Sequence, residues 1–200
     1  MRSLIRIRDP IHGSIVVSPA ELGVIDHRVY QRLRGIKQLG FTDQAFPGAT
    51  HTRYAHGLGA MEVATRMFDA IFPLGESVLD LAQRKRLRQL LRLSLLLHDL
   101  GHPPGSHASE MAMPLRKTLG LDCFTDAELE EQASHEDYTL QLLLHSSLAQ
   151  LLTERFGEDG VHPEDIAHLI SGRFPQRASS FVAGGVDYFP VLTQMVSGEM

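Results

Sequence analysis

The chain has 200 residues, 43% of them hydrophobic and 22% charged, and its formal net charge at pH 7 is −5. That length suits one domain with a substantial core, and the slight negative charge argues against nonspecific nucleic-acid binding as the main activity. The single cysteine, Cys123, excludes an internal disulfide and fits a reducing compartment. Residues 1–6 lack the apolar core of a signal peptide, and no apolar run approaches the ~20 residues of a membrane span, so we expect a cytoplasmic protein.

The first half of the chain is predicted to form a small hairpin and then helices. Residues 4–9 alternate apolar and polar side chains, residues 10–13 favour a turn, and residues 14–17 are β-prone. Ser18 and Glu21 have the spacing of a capping box, with proline between them at the first helical position. Apolar periodicity then predicts helices over these approximate ranges: 19–25, 27–38 with Asp26 as a cap, 52–72 with an apolar stripe that includes Val63, and 77–100.

The second half is also predicted to be helical, and the whole pattern indicates an all-α fold with one short hairpin. A basic run over residues 84–92 is interpreted as a solvated helix face. Thr125 and Glu128 form a second capping box. The predicted helices of this half begin near His107 and cover most of 126–156, then 163–172 and 190–197. Neither repeats nor a domain boundary are visible, which favours a single domain over residues 1–200.

One stretch carries most of the functional signal. Residues 95–107 begin as an apolar helix and end as a polar turn that holds three histidines and one aspartate. Imidazole and carboxylate groups suit Fe, Mn, Mg, Ni or Zn rather than a thiol-loving ion. A lone His98-Asp99 pair is more often a helix end with a capping histidine, but two more histidines within eight residues favour a metal site.

Four ordered sequence words resemble the HD-domain deoxynucleoside triphosphate triphosphohydrolases. The words are DPIHG at 9–13, YQRLRGIKQLG at 30–40, FPGATHTRYAHGLG at 46–59 and HDLGHPPGSH at 98–107. The resemblance covers about residues 7–135 and implies an HD-domain helical bundle that binds a divalent metal. It also implies hydrolysis of a deoxynucleoside triphosphate (dNTP) to deoxynucleoside and inorganic triphosphate, and assembly into a homo-oligomer.

The resemblance implies roles for individual residues at matching positions. The metal ligands would be His56, His98 and Asp99; the catalytic pocket would hold His102, His107, Glu110 and His135; substrate sugar and phosphate would contact Gln38 and Arg53; and a regulatory guanine nucleotide would contact Asp26, Gln31 and Arg34.

The chain departs from the family pattern at three places. Glu110 stands where the relatives carry aspartate, and Ile5 stands where the regulatory site has a lysine. The family's fourth metal ligand, an aspartate in an Asp-x-Asp-Arg-like word, would follow the end of this sequence. We therefore expect a fragment truncated on its C-terminal side, which holds the metal with three protein ligands and water. Apolar surface that normally packs against the missing part is expected to promote self-association.

Reasoning from chemistry assigns the proton donor to His107, with His102 and His135 stabilising phosphate charge. Arg53 offers a bidentate fork for phosphate, although a structural salt bridge is an alternative for Arg53, as is an exposed helix position for His135. The other six histidines are expected to be surface or capping residues: His12, His27, His51, His145, His162 and His168. Alternatives to a dNTP triphosphohydrolase are a catalytically incomplete nucleotide-binding or oligomerising module and a phosphohydrolase of another nucleotide, including a cyclic one.

Overall fold

A computed structural model describes residues 4–75, 78–173 and 181–197, and it confirms the all-α prediction. The elements in chain order are β1 (Ile5–Asp9), β2 (Gly13–Val17), α1 (Pro19–Ile25), α2 (Arg28–Gln31), α3 (Arg53–Ile71), α4 (Leu81–Leu97), α5 (Asp126–Leu129), α6 (His135–His145), α7 (Ser147–Phe156), α8 (Pro163–Ser171), β3 (Val182–Ala183), β4 (Val186–Asp187) and α9 (Phe189–Ser197). Short 3-10 helices cover Arg32–Gly35, Thr42–Gln44, Ser106–Ala112, Arg116–Leu119 and Gly157–Asp159. No helix in the described ranges has the length and apolarity needed to cross a bilayer.

The predicted hairpin is confirmed as the antiparallel pair β1–β2, in which Ile7 lies opposite Ile15. Its inner face buries Ile15 and Val17 completely. The chain then enters α1 through the predicted capping box, since Ser18 accepts from the Glu21 backbone and the Glu21 side chain accepts from the Ser18 backbone. The hairpin and α1 thereby close one side of the core.

The centre of the fold is the pair α3 and α4. At Gly57 a Cβ atom would lie 2.8 Å from Tyr30 Oη and 2.9 Å from the Leu96 carbonyl oxygen, so glycine permits the two helices to approach closely. Four of the predicted stripe residues of α3 are buried, namely Leu58, Met61, Ala64 and Phe68. The prediction for Val63 is wrong, because it lies on the outer face of the helix with 43% of its surface exposed.

The basic run at the start of α4 was interpreted from the sequence as a solvated helix face. The structure shows that several of its side chains form ion pairs within the fold. Arg92 is buried and donates to Glu21 Oε1 over 2.6 Å. Arg88 forms a two-point ion pair with Asp69 of α3, which also accepts from Arg84. These pairs bind α4 to α3 and α1, so most of the positive charge is neutralised within the fold.

Several predicted helix boundaries are wrong. The predicted helix over 27–38 ends its α-helical part at Gln31, and His27 rather than Asp26 is its cap. The chain then becomes extended at Ile36, because Lys37 forms a β-bridge with Thr52. The helix predicted from 77 begins at residue 81; residues 76 and 77 lie outside the described ranges.

The region 126–156, predicted to be mostly helical, consists of three helices. Ser134 and Ser146 each adopt extended backbone and cap the helix that follows, so their hydroxyls favour a restart over continuation. The helix predicted near His107 is a 3-10 helix. A second small hairpin, β3–β4, was not predicted, since each of its strands has only two residues. The helix over 163–172 is confirmed, with Gly172 as a left-handed C-cap.

Candidate metal centre

The ends of α3 and α4 bring three predicted ligands together. Thr52 caps α3, which places His56 in its first turn. His98 is the C-cap of α4, and Asp99 follows it in the turn. We call His56, His98 and Asp99 the first cluster. Because they sit at the ends of two closely packed helices, their backbone positions are fixed by the core.

The first cluster has the spacing of a metal site. His56 Nε2 lies 3.3 Å from His98 Nε2 and 3.7 Å from Asp99 Oδ2, and His98 Nε2 lies 3.5 Å from Asp99 Oδ1. One donor atom from each of the three residues lies within 4.8 Å of the others. The His56 side chain is 37% exposed and the Asp99 side chain 8%, so the cluster is open on one side. This donor set fits a divalent cation that keeps positions for water or substrate.

Neighbouring groups orient the ligands. His98 Nδ1 lies 2.8 Å from the Leu95 carbonyl oxygen, an acceptor that requires the proton on Nδ1 and leaves Nε2 free to bind. Burial and the neighbouring His98 lower the pKa of His56, which keeps it neutral as a ligand must be. Burial raises the pKa of Asp99, but its contact with His102 and the charges of His98 and Arg53 outweigh this and hold the pKa well below its ordinary value.

Arg53 is buried beneath the first cluster. It is 2% exposed, forms an ion pair with Asp99, and donates to Ser106 Oγ. Its Nη2 also lies 3.3 Å from the Gln38 carbonyl oxygen. The arrangement matches the alternative of a structural salt bridge, while contact with substrate stays a prediction. The side-chain Oε1 of Gln38 is buried and has no hydrogen-bond partner in the described part of the chain.

The four residues predicted for the catalytic pocket also lie together, and we call His102, His107, Glu110 and His135 the second cluster. Glu110 Oε1 is its centre: it accepts from His107 Nδ1 over 3.1 Å and from His135 Nδ1, and His102 Nδ1 lies 3.8 Å away. The His102 and His135 rings stack with centroids 3.7 Å apart. Burial lowers the pKa of His102 to about 4, so its imidazole is neutral at pH 7.

His102 connects the two clusters. Its Nε2 lies 3.4 Å from Asp99 Oδ1, while its Nδ1 faces Glu110. Burial raises the pKa of Glu110, but the charges of His135 and His107 outweigh this and lower it, so the carboxylate is ionised. A chain of polar groups therefore leads from a candidate metal ligand to His107, whose side chain is 65% exposed.

A match to a family model identifies the family of this chain. The family model described as the HD domain matches residues 53–178, which include both clusters. The chain belongs to the HD domain family. This family comprises metal-dependent phosphohydrolases.

Relatives of this HD domain confirm the predicted resemblance. The human "Deoxynucleoside triphosphate triphosphohydrolase SAMHD1" is 44% identical over 101 residues, which are 50% of this chain and 16% of that protein. Its homolog from Dictyostelium discoideum is 38% identical over 179 residues, 88% of this chain and 31% of that protein. The uncharacterized protein YwfO of Bacillus subtilis is 32% identical over 182 residues, 90% of this chain and 36% of that protein.

A solved structure shares the fold of this HD domain. The crystal structure of a hypothetical protein from Aquifex aeolicus superposes with a TM-score of 0.67 at 29% identity, and the match covers 99% of this chain and 43% of that one. The chain thus spans less than half of that structure, and between 16% and 36% of the length of the three curated relatives above.

The residues predicted for a regulatory nucleotide lie apart from both clusters of the HD domain. Gln31 donates to the Ile25 carbonyl oxygen over 2.7 Å and accepts from Arg34 Nε over 2.7 Å. The Arg34 guanidinium lies 3.6 Å from the centre of the Tyr54 ring. Asp26 is exposed at the end of α1. Gln31 and Arg34 therefore stand together, and their use by a nucleotide stays a prediction.

Sequence reasoning missed the residues that hold the HD turn in place. Arg32 donates to the carbonyl oxygens of His102, over 2.8 Å, and of Leu100. Thr139 of α6 accepts from the Gly101 backbone over 2.8 Å and donates to the His98 carbonyl oxygen over 3.0 Å. The only sequence signal for Arg32 was its place inside the second family word, and Thr139 had none.

One of the remaining histidines was also misjudged. His27 caps α2, as a capping role predicts, because its Nδ1 accepts from the Val29 backbone. His168 was expected at the surface, but it is 8% exposed and stacks on Phe189 with centroids 4.5 Å apart. Its position on the inner face of α8 makes it a core residue.

Proposed function

We propose that this HD domain hydrolyses dNTPs to deoxynucleosides and inorganic triphosphate. One observation carries the proposal: an open set of metal ligands lies directly beside a histidine-rich cluster, and His102 links the two, 3.4 Å from Asp99. The relatives named as deoxynucleoside triphosphate triphosphohydrolases support the choice of substrate. Cytoplasmic location and assembly into a homo-oligomer are further parts of the proposal.

The first cluster would hold the cation. When bound by His56, His98 and Asp99, a divalent cation would neutralise phosphate charge and make water a better nucleophile. The surrounding residues keep these ligands in the state that binds a cation, because Leu95 sets the tautomer of His98, and His102, His98 and Arg53 together lower the pKa of Asp99.

His107 is our proposed proton donor. In the reaction, water attacks the α-phosphorus and the bond from that phosphorus to the 5′ oxygen breaks, so the leaving oxygen needs a proton. The His107 side chain is 65% exposed and uses Nδ1 to contact Glu110, which leaves Nε2 available to give the proton. Because His102 is 1% exposed and neutral, we assign it a positioning role rather than direct stabilisation of phosphate charge.

We assign different roles to Gln38 and Arg53, the two residues predicted to contact substrate. Oε1 of Gln38, which has no hydrogen-bond partner among the described residues, is available to accept from a sugar hydroxyl, because a buried acceptor without a partner is costly. Because Arg53 donates hydrogen bonds to Asp99 and Ser106, we assign it to positioning the first cluster.

Product analysis tests the proposal. The chain is incubated with each dNTP and Mn²⁺, and the products are separated by anion-exchange chromatography. We expect deoxynucleoside and triphosphate, and no product from His98→Ala. His145→Ala is the matched control, because His145 is exposed at the end of α6, and it should retain activity. Release of pyrophosphate or orthophosphate, or the lack of any product while Mn²⁺ is bound, would contradict the proposal.

A further inference from the structure

The second cluster has an arrangement that a proton donor alone does not explain. Three imidazole Nδ1 atoms, from His102, His107 and His135, all face one carboxylate oxygen, Glu110 Oε1. We propose that the second cluster is itself a cation site, which binds Zn²⁺ or a similar divalent ion through three nitrogens and one oxygen. This binding follows from geometry and does not depend on the proposed function.

Two of the three distances to Glu110 Oε1 are close to those of a tetrahedral site, and the third, to His135 Nδ1, is shorter. With Zn–N and Zn–O bonds of about 2.0–2.1 Å, ligand atoms around a tetrahedral ion lie about 3.3 Å apart. The distances from Glu110 Oε1 to His107 Nδ1 and His102 Nδ1 are 3.1 Å and 3.8 Å. These two distances bracket the tetrahedral value, and a change in ring orientation is still needed to bring all four atoms around one ion.

His102 supplies an independent reason to place a ligand here. It is 1% exposed, and both of its ring nitrogens are buried without a hydrogen-bond partner in the described part of the chain. Nε2 has Asp99 nearby, but at 3.4 Å, and Nδ1 points toward Glu110. A cation beside Nδ1 would give a partner to a polar atom that has none among the described residues.

Closing the site requires two rings to turn. His102 and His135 are stacked at 17°, so their Nδ1 lone pairs do not yet converge. His107 stands edge-on to His102, at 87°, and its side chain is largely exposed. Rotation of His107 and His135 about their Cβ–Cγ bonds, with a small shift of the His135 ring away from the buried His102 on which it stacks, would turn their Nδ1 atoms toward one ion.

The two clusters should differ in their affinity for Mn²⁺. The first cluster offers two imidazoles and a carboxylate on an open side, which suits a catalytic ion with water ligands. The second cluster offers three imidazoles and one carboxylate, and imidazole-rich sites favour Zn²⁺, Ni²⁺ and Cu²⁺ over Mn²⁺ and Mg²⁺. Mn²⁺ should therefore occupy the first cluster while leaving the second one free.

Occupation of the second cluster would affect turnover, and this consequence rests on the proposed function. A histidine acts as the proton donor in its doubly protonated form, which needs a proton on each ring nitrogen. A cation on Nδ1 of His107 excludes that form, so Nε2 becomes a much weaker acid. Zn²⁺ should then inhibit an enzyme that Mn²⁺ activates.

Zinc stoichiometry tests the site without reference to activity. The untagged chain is stripped of metal and titrated with Zn²⁺ against a chromogenic zinc indicator. We expect two Zn²⁺ per chain for the wild type and for the control His145→Ala. His107→Ala/His135→Ala should lose one ion, and His56→Ala/His98→Ala should lose the other, with circular dichroism to confirm folding. One Zn²⁺ per wild-type chain, or two in His107→Ala/His135→Ala, would overturn the proposal.

A second arm separates the site from the proposed function. With Mn²⁺ in excess, and with metal analysis showing that one Mn²⁺ per chain stays bound at the first cluster, the one Zn²⁺ that fills the second should lower dNTP turnover by about 100-fold, the scale of a lost general acid. Unchanged turnover at full zinc occupancy would overturn the inhibitory role. Two bound Zn²⁺ with no hydrolysis under Mn²⁺ alone would refute the proposed function and leave the second cation site standing.

Discussion

The two clusters of this HD domain are built in different ways. The first cluster stands on the ends of α3 and α4, which are long and tightly packed against each other. The second cluster stands on a turn, a 3-10 helix and the start of α6, so its geometry depends on contacts between segments distant in sequence. Helix capping and core packing fix the first cluster, whereas hydrogen bonds to one turn fix the second. Substitutions at those contacts should therefore separate the two.

Gly101 is the residue on which both clusters depend. A Cβ atom there would lie 1.9 Å from the His135 carbonyl oxygen and 2.5 Å from the Thr139 backbone nitrogen. Since both are backbone atoms of α6, they have little freedom to move away. We expect Gly101→Ala to lower the free energy of unfolding by about 4 kcal/mol or more, measured by urea denaturation.

Gly23→Ala is the matched control for that substitution. Gly23 lies within α1, and a Cβ atom there would meet nothing within 4 Å. Alanine at this helical position should raise stability by about 0.5–1 kcal/mol. If Gly101→Ala were as stable as the wild type, the close contact between the HD turn and α6 would not exist.

Arg32 should matter more to the second cluster than to the first. Its guanidinium donates to the carbonyl oxygens of Leu100 and His102, so Arg32→Met leaves both without a charged donor. We expect a loss of about 2–3 kcal/mol in the free energy of unfolding. Arg28→Met, at an exposed position of the preceding helix, is the control and should change stability by less than about 0.5 kcal/mol.

The Mn²⁺ affinity of Arg32→Met tests its role more directly than stability does. If Arg32 holds only the turn that carries the second cluster, Arg32→Met should retain Mn²⁺ affinity at the first cluster, measured by isothermal titration calorimetry. A variant that lost Mn²⁺ binding while remaining folded would show that the two clusters are not independent.

The pH dependence of stability reports on the second cluster through His102. Its pKa is about 4 in the folded chain against 6.5 for an ordinary histidine. Between those values the unfolded chain binds a proton that the folded chain does not, so the free energy of unfolding falls as the pH drops from 6.5 to 4. The full pKa shift corresponds to a loss of about 3 kcal/mol in the free energy of unfolding. Because the neighbouring carboxylates can relax, we expect a measured loss of about 1–2 kcal/mol.

His102→Asn isolates this effect. The measurement is urea denaturation of the metal-free protein at several pH values, with the stability at each pH compared between variant and wild type. The variant should lose less stability on acidification, whatever its stability at pH 7. Equal pH slopes would mean that His102 is not held neutral by burial.

Local signals predicted much of the fold. Ser18, Thr52 and Thr125 each begin a helix because a hydroxyl oxygen satisfies backbone donors three residues away, and such contacts are visible in sequence. The helix predicted over 27–38 failed at Ile36, where the chain extends to pair with the segment around Thr52. Pairing at that distance leaves no local signature.

For the candidate site, too, some features could be predicted from the sequence and others could not. Both sets of side chains were named from positions that match the family, and the structure brings each set together. The supporting contacts could not be predicted, since Arg32 and His102 are separated by 70 residues and Gly101 and Thr139 by 38. Nor could the sequence show that Arg53 is buried against Asp99. Burial and partners depend on packing, which periodicity describes only for one element at a time.

Substitution of Thr139 should have the smallest effect on how the two clusters are held together. Its hydroxyl accepts from the Gly101 backbone and donates to the His98 carbonyl oxygen, so it joins α6 to the turn between them. Thr139→Val keeps the shape and removes both bonds, together with the contact of the hydroxyl with the His135 carbonyl oxygen of its own helix, which should cost about 1 kcal/mol in the free energy of unfolding. Thr153→Val, on the exposed face of α7, loses only a bond within its own helix and should cost less. If the two variants were equally stable, the hydroxyl of Thr139 would contribute nothing to the turn, and packing at Gly101 alone would hold the second cluster beside the first.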